Sequence, residues 1–280
     1  MNNFSVFDTH CHLADKEYCK QNQSAKEIIQ AAQRAGVKYI LNTGQDMPTN
    51  RLLLQQLKDF PNLYGALGLH PNSKEDLKAE NLQWIEQQLT NERIIAIGEI
   101  GLDYYRTFTE IKKQKVWFKK QLKLAQEYNL PVLLHIRGEE GKENKEKFIE
   151  AFDEAYQIVK ETGIRRGILH CFTGTWEIAQ KFINLGFYIS FAGNITYKNA
   201  KWKEKWGEAL EKMPLERIVV ETDAPYLSPE PLRGKGSNYP QNIIYTLKKI
   251  AEIRKMDMEE VGEKIYLNTL RLFKLLPNPN

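Results

Sequence analysis

The chain has 280 residues, 42% of them hydrophobic, and a formal net charge of +4 at pH 7. This length fits one (β/α)8 barrel, which needs about 250 residues, and leaves little room for a second domain. The mild positive charge permits an anionic substrate but argues against a dedicated nucleic-acid-coating protein, and no apolar run approaches the roughly 18 residues of a membrane span.

Short apolar runs alternate with longer helical patterns from one end of the chain to the other. Most of these runs are continuously apolar, which is typical of strands buried on both faces of a parallel sheet. The predicted strands are Phe4–Thr9, Val37–Asn42, Leu63–Leu69, Ile94–Ile97, Val132–Leu134, Gly167–Leu169, Tyr188–Phe191 and Ile218–Val220.

Helices are predicted in the intervening stretches. Ser24 is a plausible N-cap, because Glu27 follows three residues later, and Gly36 ends the same helix. The charged stretch Lys198–Lys212 is expected to be an irregular excursion before the last strand. The predicted helices are Ser24–Ala35, Glu110–Tyr128, Asn144–Lys160, Trp176–Leu185, Gln241–Arg254 and Met258–Leu275.

Strict alternation of strands and helices predicts a single-domain parallel α/β fold, a (β/α)8 TIM barrel. The rival is an open doubly wound sheet, which would usually carry a Gly-rich phosphate loop after its first strand. Here the first strand runs into Asp8-Thr9-His10-Cys11-His12 instead.

All five histidines come at or just after the end of a predicted strand. In a parallel barrel these strand ends share the face on which active sites are built. His10 and His12, two residues apart in an extended chain, point the same way and can reach one ion. A single histidine more often simply packs, but five such positions indicate a metal site. The histidines are His10, His12, His70, His135 and His170.

Carboxylates complete this set. Glu99 follows the fourth predicted strand and has glycines on both sides, which permit close approach of ligands. Asp223 follows the eighth, and Pro225 so close behind it makes a helix-capping role the minor alternative. For Asp103 and Glu221, structural roles are at least as reasonable.

With these positions in hand, the sequence resembles the TatD-type deoxyribonucleases of the amidohydrolase superfamily over nearly its whole length. The resemblance rests on Asp8-Thr9-His10-Cys11-His12-Leu13, Gly68-Leu69-His70-Pro71, Gly98-Glu99-Ile100-Gly101-Leu102-Asp103-Tyr104-Tyr105, Leu169-His170-Cys171-Phe172-Thr173-Gly174 and Glu221-Thr222-Asp223-Ala224-Pro225-Tyr226-Leu227.

The resemblance implies a barrel hydrolase with two divalent metal ions. By match of position, His10, His12 and Asp223 would bind the first ion and His135 and His170 the second, while Glu99 would bridge both. Imidazole mixed with hard oxygen ligands suits zinc, manganese or magnesium equally. Asp223 would orient the attacking water and take up its proton, and Glu99 would fix the distance between the ions.

Substrate contacts are expected from residues outside the ligand set. His70 is assigned to the substrate phosphate or leaving group, with a supporting hydrogen bond as an equal alternative. Arg137, Arg233 and Lys235 are candidates to neutralise phosphate, although each could instead be a surface ion-pair residue. Tyr104 or Tyr105 could stack on a nucleobase, and packing is expected for at least one of them.

Three functions compete. The first is phosphodiester hydrolysis of DNA or RNA from an exposed 3′ end, single-stranded or frayed. The second is ester or amide hydrolysis, such as D-aminoacyl-tRNA deacylation. It is motivated by the loop Arg233–Pro240, which departs from the family pattern by one inserted residue and a tyrosine, Tyr239, in place of glutamate. The third is a non-catalytic binding protein, which the complete ligand set disfavours.

The sequence also carries an expectation about the cellular compartment. The N-terminus lacks the basic start and apolar stretch of a signal peptide. Cys11, Cys19 and Cys171 make an odd, low count without a disulfide framework, which fits a reducing compartment. A cytoplasmic protein without membrane association is therefore expected, and a monomer is favoured. Cys11 and Cys171 are expected to alternate away from the neighbouring histidines and to pack.

Overall fold

A computed structural model describes residues 5–20, 23–138, 145–198 and 203–276. It confirms the predicted barrel. One sheet holds eight parallel strands in the order of the chain. The strands are β1 Val6–Cys11, β2 Val37–Thr43, β3 Leu63–Leu67, β4 Ile94–Asp103, β5 Val132–Arg137, β6 Gly167–Leu169, β7 Tyr188–Phe191 and β8 Ile218–Val220.

The barrel closes where β1 meets the end of β8. Thr9 Oγ1 donates to the carbonyl oxygen of Val220 at 2.9 Å. Beyond β8, the Asp223 amide donates to the carbonyl of His10 at 2.9 Å and the His12 amide to that of Ala224 at 2.7 Å. These bonds bring the first and last strand ends together, although more than two hundred residues separate them.

Helices surround the sheet. Ser24 and Glu27 form the predicted capping box at the start of the second helix. The helices are α1 Lys16–Lys20, α2 Ala25–Arg34, α3 Met47–Asp59, α4 Ala79–Gln88, α5 Ile111–Glu127, α6 Lys145–Thr162, α7 Trp176–Asn184, α8 Lys203–Lys212, α9 Ile243–Arg254 and α10 Met258–Leu272.

The structure corrects several element boundaries. α1, α3 and α4 were not predicted, and α8 is a helix where an irregular excursion was expected. Trp206, Ala209 and Leu210 give α8 a buried stripe at helical spacing inside a charged sequence. β4 continues six residues past its predicted end at Ile97, to Asp103. Phe4 and Asn144, at the predicted starts of two elements, lie outside the described residues.

The barrel interior is packed and closed at its amino-terminal end. Phe7, Leu41, Leu133 and Val219 form one buried cluster there, together with Phe273 just after α10. The Phe7 and Phe273 rings lie 5.7 Å apart. Because this end is filled with apolar side chains, polar chemistry is confined to the opposite, carboxyl-terminal end. Within the described residues, no helix combines the length and apolar character needed to traverse a lipid bilayer.

Candidate metal centre

The five histidines meet at the carboxyl-terminal end of the barrel. His10 lies in β1 and His135 in β5, while His70 and His170 follow β3 and β6. The His10 and His170 rings stack with centroids 3.8 Å apart, and those of His70 and His135 are 4.4 Å apart. His12, directly after β1, completes the group, and its Nε2 lies 3.0 Å from the Nε2 of His10.

Glu99 lies between two sets of histidines, and its two carboxylate oxygens face different sets. Oε2 is 3.6 Å from His10 Nε2 and 3.7 Å from His12 Nε2. Oε1 is 2.7 Å from His135 Nδ1 and 3.5 Å from His170 Nε2. This division is the arrangement expected of a carboxylate that bridges two cations.

Asp223 adds a second carboxylate to the same cluster. Its Oδ1 lies 3.3 Å from His12 Nε2 and 3.8 Å from His10 Nε2, and 3.9 Å from His170 Nε2. The residue has a left-handed φ of 54°, which is uncommon for a residue other than glycine and marks a constrained site. Its side chain is 13% exposed, compared with 4% for Glu99, so Asp223 faces the mouth.

Both carboxylates are ionised because the histidines surround them. Burial would raise the pKa of Glu99, but hydrogen bonds from His10 and His135 hold it well below its usual value. Burial would likewise raise the pKa of Asp223, whereas the hydrogen bond from His12 lowers it. A buried cluster of this charge density is stable only when cations or protons compensate the carboxylates.

The hydrogen bonds of His12 and His70 assign them different tautomers. His12 Nδ1 lies 2.9 Å from the Thr43 carbonyl oxygen, which can only accept, so the neutral ring carries its hydrogen on Nδ1, and Nε2 holds a proton only while it donates to Asp223. His70 Nδ1 instead accepts from the Asn72 amide at 3.1 Å. Burial, with His135 close by, lowers the pKa of His70 to about 3. Neutral His70 therefore presents an Nε2–H donor, whereas neutral His12 would present an Nε2 lone pair to a metal ion.

Glu221 supports His170 from behind. Its Oε1 lies 2.9 Å from His170 Nδ1, out of line for a hydrogen bond, and accepts from the Cys171 amide at 2.6 Å. Burial disfavours a charged His170, but Glu221 raises its pKa to about 10. Glu221 thus holds the ring with Nε2 toward Glu99 and Asp223. The sequence argument left the role of Glu221 undecided, and its place beside a histidine emerges only in the fold.

Asp103 performs a similar task on the other side of the centre. Its Oδ2 lies 3.3 Å from His135 Nε2 and accepts from Asn72 Nδ2 at 2.9 Å. Burial lowers the pKa of His135, but hydrogen bonds to Asp103 through Nε2 and to Glu99 through Nδ1 raise it. Nδ1 would be free for a metal ion only after its proton is displaced. Asp103 Oδ1 accepts from the amides of Tyr105 and Arg106 at 3.0 Å and 2.7 Å, which also fixes the following turn.

Asp8 is a buried carboxyl that the sequence argument missed. It accepts from the amide and hydroxyl of Thr222 at 2.9 Å and 2.6 Å, and thereby fixes the backbone beside Asp223. Burial raises the pKa of Asp8 to about 8, although the Thr222 hydrogen bonds oppose this. An acid two residues before His10, inside an apolar strand, is the signal that could have identified it.

Two glycines allow these strand ends to approach closely. A Cβ on Gly68 would lie 2.6 Å from the backbone carbon of Gly98, directly before Glu99. A Cβ on Gly101, at a φ of +145°, would lie 2.0 Å from the carbonyl oxygen of His135. Because neither position has space for a side chain, glycine here sets how closely Glu99 and the histidines gather.

Cationic side chains on aromatic rings lie near this cluster. The guanidinium carbon of Arg137 is 4.0 Å from the Tyr105 ring centroid, and that of Arg233 is 3.8 Å from the Tyr197 ring centroid. Burial raises the pKa of Tyr197, and the charge of Arg233 opposes this. Lys235 is exposed on the same loop as Arg233.

Of the adjacent tyrosines, Tyr104 is the packed one. It is 8% exposed, and its hydroxyl donates to Glu154 on α6. Tyr105 is 47% exposed. The structure does not bring the Tyr104 ring to the surface, so Tyr105 is the better placed for contact with a ligand.

The two cysteines near the centre differ from each other. Cys11 points away from the histidines as expected, and its Sγ lies 3.6 Å from the Ala224 carbonyl oxygen. The expectation was wrong for Cys171, because its φ of 46° breaks the extended alternation and brings Sγ within 4.8 Å of the donor atoms of His170 and Glu221. Burial, together with the charge of Asp223, raises the pKa of Cys171 well above normal, so it stays a protonated thiol.

The donor set fits divalent cations. The donor atoms fall into overlapping groups, each within 4.8 Å, which include His10 with His12 and Glu99, and His10 with His170 and Asp223. The 3.0 Å between the Nε2 atoms of His10 and His12 is close to the roughly 3.3 Å separation of two ligands on one tetrahedral zinc ion. Imidazole and carboxylate together suit zinc, manganese or magnesium.

Comparison with known proteins finds relatives along the whole chain. The family described as TatD related DNase matches residues 7–274. The uncharacterized metal-dependent hydrolase YabD of Bacillus subtilis (strain 168) is 36% identical over 272 residues, which cover 96% of this chain and 99% of YabD. The uncharacterized metal-dependent hydrolase YcfH of Escherichia coli (strain K12) is 31% identical over 273 residues, which cover 96% of each. The crystal structure of YjjV, a TatD homolog from Escherichia coli K12, matches with a TM-score of 0.84 and 29% identity, covering 97% of this chain and 98% of that one.

Proposed function

From the premise that this chain belongs to the family of TatD-related DNases, we propose that it is a nuclease that removes nucleotides from exposed 3′ ends of DNA or RNA. Its general activity, that of a metal-dependent hydrolase, follows from the family. The proposed substrate is a single strand or a frayed end, because a barrel mouth admits a strand terminus more readily than the middle of a duplex.

The division of the Glu99 oxygens between two histidine sets carries this proposal. Oε2 faces His10 and His12, while Oε1 faces His135 and His170. This supports a dinuclear centre in which Asp223 joins the first set. A pair of divalent ions held in this way acidifies water and stabilises negative charge on both the attacking and the leaving oxygen of a phosphoryl group.

Asp223 is the proposed general base. Its lowered pKa keeps it ionised at neutral pH, so it can accept the proton of an attacking water that it holds by hydrogen bond. Its side chain is the more exposed of the two carboxylates, at 13%, which supports contact with substrate. Glu99 is buried at 3% and is proposed to fix the geometry between the two histidine sets.

Donors for the phosphate come from the rim and from His70. The Nε2–H of neutral His70, 3.9 Å from Glu99 Oε1, can donate to a phosphate or leaving-group oxygen. Arg137, Arg233 and Lys235 are proposed to neutralise the substrate backbone. A guanidinium is a planar fork of donors that matches the geometry of phosphate oxygens.

An end-labelled oligonucleotide assay tests the proposal. Chelator-treated protein is reloaded with magnesium, manganese or zinc and incubated with single strands that carry the label at the 5′ end. A ladder that shortens from the 3′ end is expected with at least one metal, and Asp223→Asn should prevent it. No nucleotide release with any of the three metals would contradict the nuclease proposal.

The loop Arg233–Pro240 supports a second candidate function. This is ester hydrolysis on the same centre, as in D-aminoacyl-tRNA deacylation. Asn238 of this loop is buried and donates to the Thr222 carbonyl at 2.9 Å, so the altered loop is fixed beside Asp223. A D-aminoacyl-tRNA assay run in parallel separates the two. If the oligonucleotide is cleaved and the aminoacyl ester is not, ester hydrolysis is discarded. If the ester is cleaved and the oligonucleotide is not, the nuclease function is discarded.

A further inference from the structure

The turn after β4 presents two large rings to solvent. Tyr105 is 47% exposed and Phe108 is 71% exposed, the most of any large hydrophobic side chain among the described residues. Single exposed apolar side chains are ordinary, but here two exposed aromatic rings stand three residues apart on one short turn. Packing in the core does not account for either ring, so we ask which ligand they could contact.

This turn is attached to the metal centre at both ends. Asp103, whose Oδ2 lies 3.3 Å from His135, accepts from the amides of Tyr105 and Arg106 at its start. Asn72 accepts from the Thr109 amide at 3.4 Å at its end and donates to Asp103. The backbone that carries the two rings is therefore held at the rim before any ligand arrives, which lowers the entropic cost of binding.

A cation lies between the Tyr105 ring and the metal centre. The Arg137 guanidinium carbon lies 4.0 Å from the Tyr105 ring centroid, and Arg137 ends β5 two residues after His135. An aromatic surface beside a positive charge is the combination that binds single-stranded nucleic acid, because bases stack on the rings while the cation attracts the phosphates.

We propose that Tyr105 and Phe108 form a base-stacking surface that holds the nucleobases next to the 3′ end of the bound strand. The proposal rests on the proposed nuclease function and adds its substrate recognition. Stacking accepts every base, because each has a π-face, so this surface selects unpaired strands without selecting a sequence. A paired base is covered by its neighbours and is excluded.

Fluorescence titration tests this with a strand that resists cleavage. The probe is a 12-nucleotide single strand with phosphorothioate linkages at its 3′ end and 2-aminopurine as the penultimate base. Zinc-loaded wild type is compared with Phe108→Ala, Tyr105→Ala, Phe108→Trp and Phe108→Leu. Tyr128→Ala is the control, because Tyr128 is an exposed tyrosine at the far end of the 17-residue helix α5, about 25 Å away.

The two alanine variants should weaken binding about 5- to 150-fold each and reduce the quenching of 2-aminopurine. Phe108→Trp should retain binding, Phe108→Leu should not, and Tyr128→Ala should match wild type. A second strand, abasic at the penultimate position, should bind wild type and Phe108→Ala alike.

Alanine variants within twofold of wild type would overturn the inference, as would Phe108→Leu binding like wild type or an equal loss on the abasic strand. If wild-type protein binds no oligonucleotide, both this inference and the nuclease function fail. If binding depends on Tyr105 and Phe108 but no oligonucleotide is cleaved with magnesium, manganese or zinc, only the nuclease function is overturned.

Discussion

Replacing Gly68 with alanine should damage the metal centre without entering it. The added Cβ would lie 2.6 Å from the Gly98 carbonyl carbon and 2.8 Å from the Glu99 amide nitrogen. Ordinary contact begins at 3.4 Å, so the backbone at Glu99 must move by about 0.8 Å. Displacement of a critical group by 1 Å can cost about 100-fold in rate, and overpacking of this kind costs about 1–3 kcal/mol of stability.

Three measurements follow the substitution: bound metal per chain, turnover on an oligonucleotide, and thermal unfolding. We expect Gly68→Ala to fold, to lose most of its bound metal after dialysis, and to lose roughly 100-fold in rate. Gly207→Ala is the matched control, because nothing lies within 4 Å of its Cβ. In the interior of α8 it should raise stability by up to about 1 kcal/mol. A Gly68→Ala protein with wild-type metal content and rate would refute the argument that close approach of β3 and β4 positions Glu99.

Three further predictions concern the centre itself. Asp223→Asn should lower kcat by about 100- to 10,000-fold with a nearly unchanged melting temperature, and unchanged turnover would remove Asp223 from the mechanism. Metal at about 100 times its Kd should stabilise chelator-treated protein by about 2.7 kcal/mol, or roughly 5–10 °C by calorimetry; no shift would contradict metal binding to the folded chain. Because the pKa of His170 is raised to about 10, its proton must leave when metal binds at pH 7, so affinity should fall as pH falls. Calorimetry in buffers of different ionisation enthalpy would reveal that release, and a pH-independent Kd would contradict it.

The positions of the histidines could be predicted from the sequence because of one property of parallel sheets. Carboxyl ends of neighbouring strands share an edge, so His10, His135 and His170 had to converge once their strands were recognised. The strands were recognisable because burial on both faces leaves continuous apolar runs. The type of chemistry followed from the side chains themselves, since imidazole and carboxylate are metal donors in any fold.

Elements with polar inward faces could not be predicted in the same way. Asn50 and Gln56 are buried on α3, where they bond to the Gly68 carbonyl and to Asn42. They interrupt the apolar stripe by which a helix is recognised, and α3 was therefore missed. β4 was cut short for a related reason, because Gly98, Glu99 and Gly101 lie inside the strand and resemble a loop in sequence.

The amino-acid sequence alone determined that the five histidines, Glu99 and Asp223 reach the mouth of the barrel, because the ends of continuous apolar runs are local features of a chain. Only the tertiary structure decided what each residue can do there. The tautomers of His12 and His70 depend on the Thr43 carbonyl and the Asn72 amide, which belong to other segments of the chain. The choice between Tyr104 and Tyr105 likewise depends on α6, because Glu154 holds the hydroxyl of the first and leaves the second at the surface. Proton positions and exposure are set by neighbours in space, and a chain brings those neighbours together only when it folds.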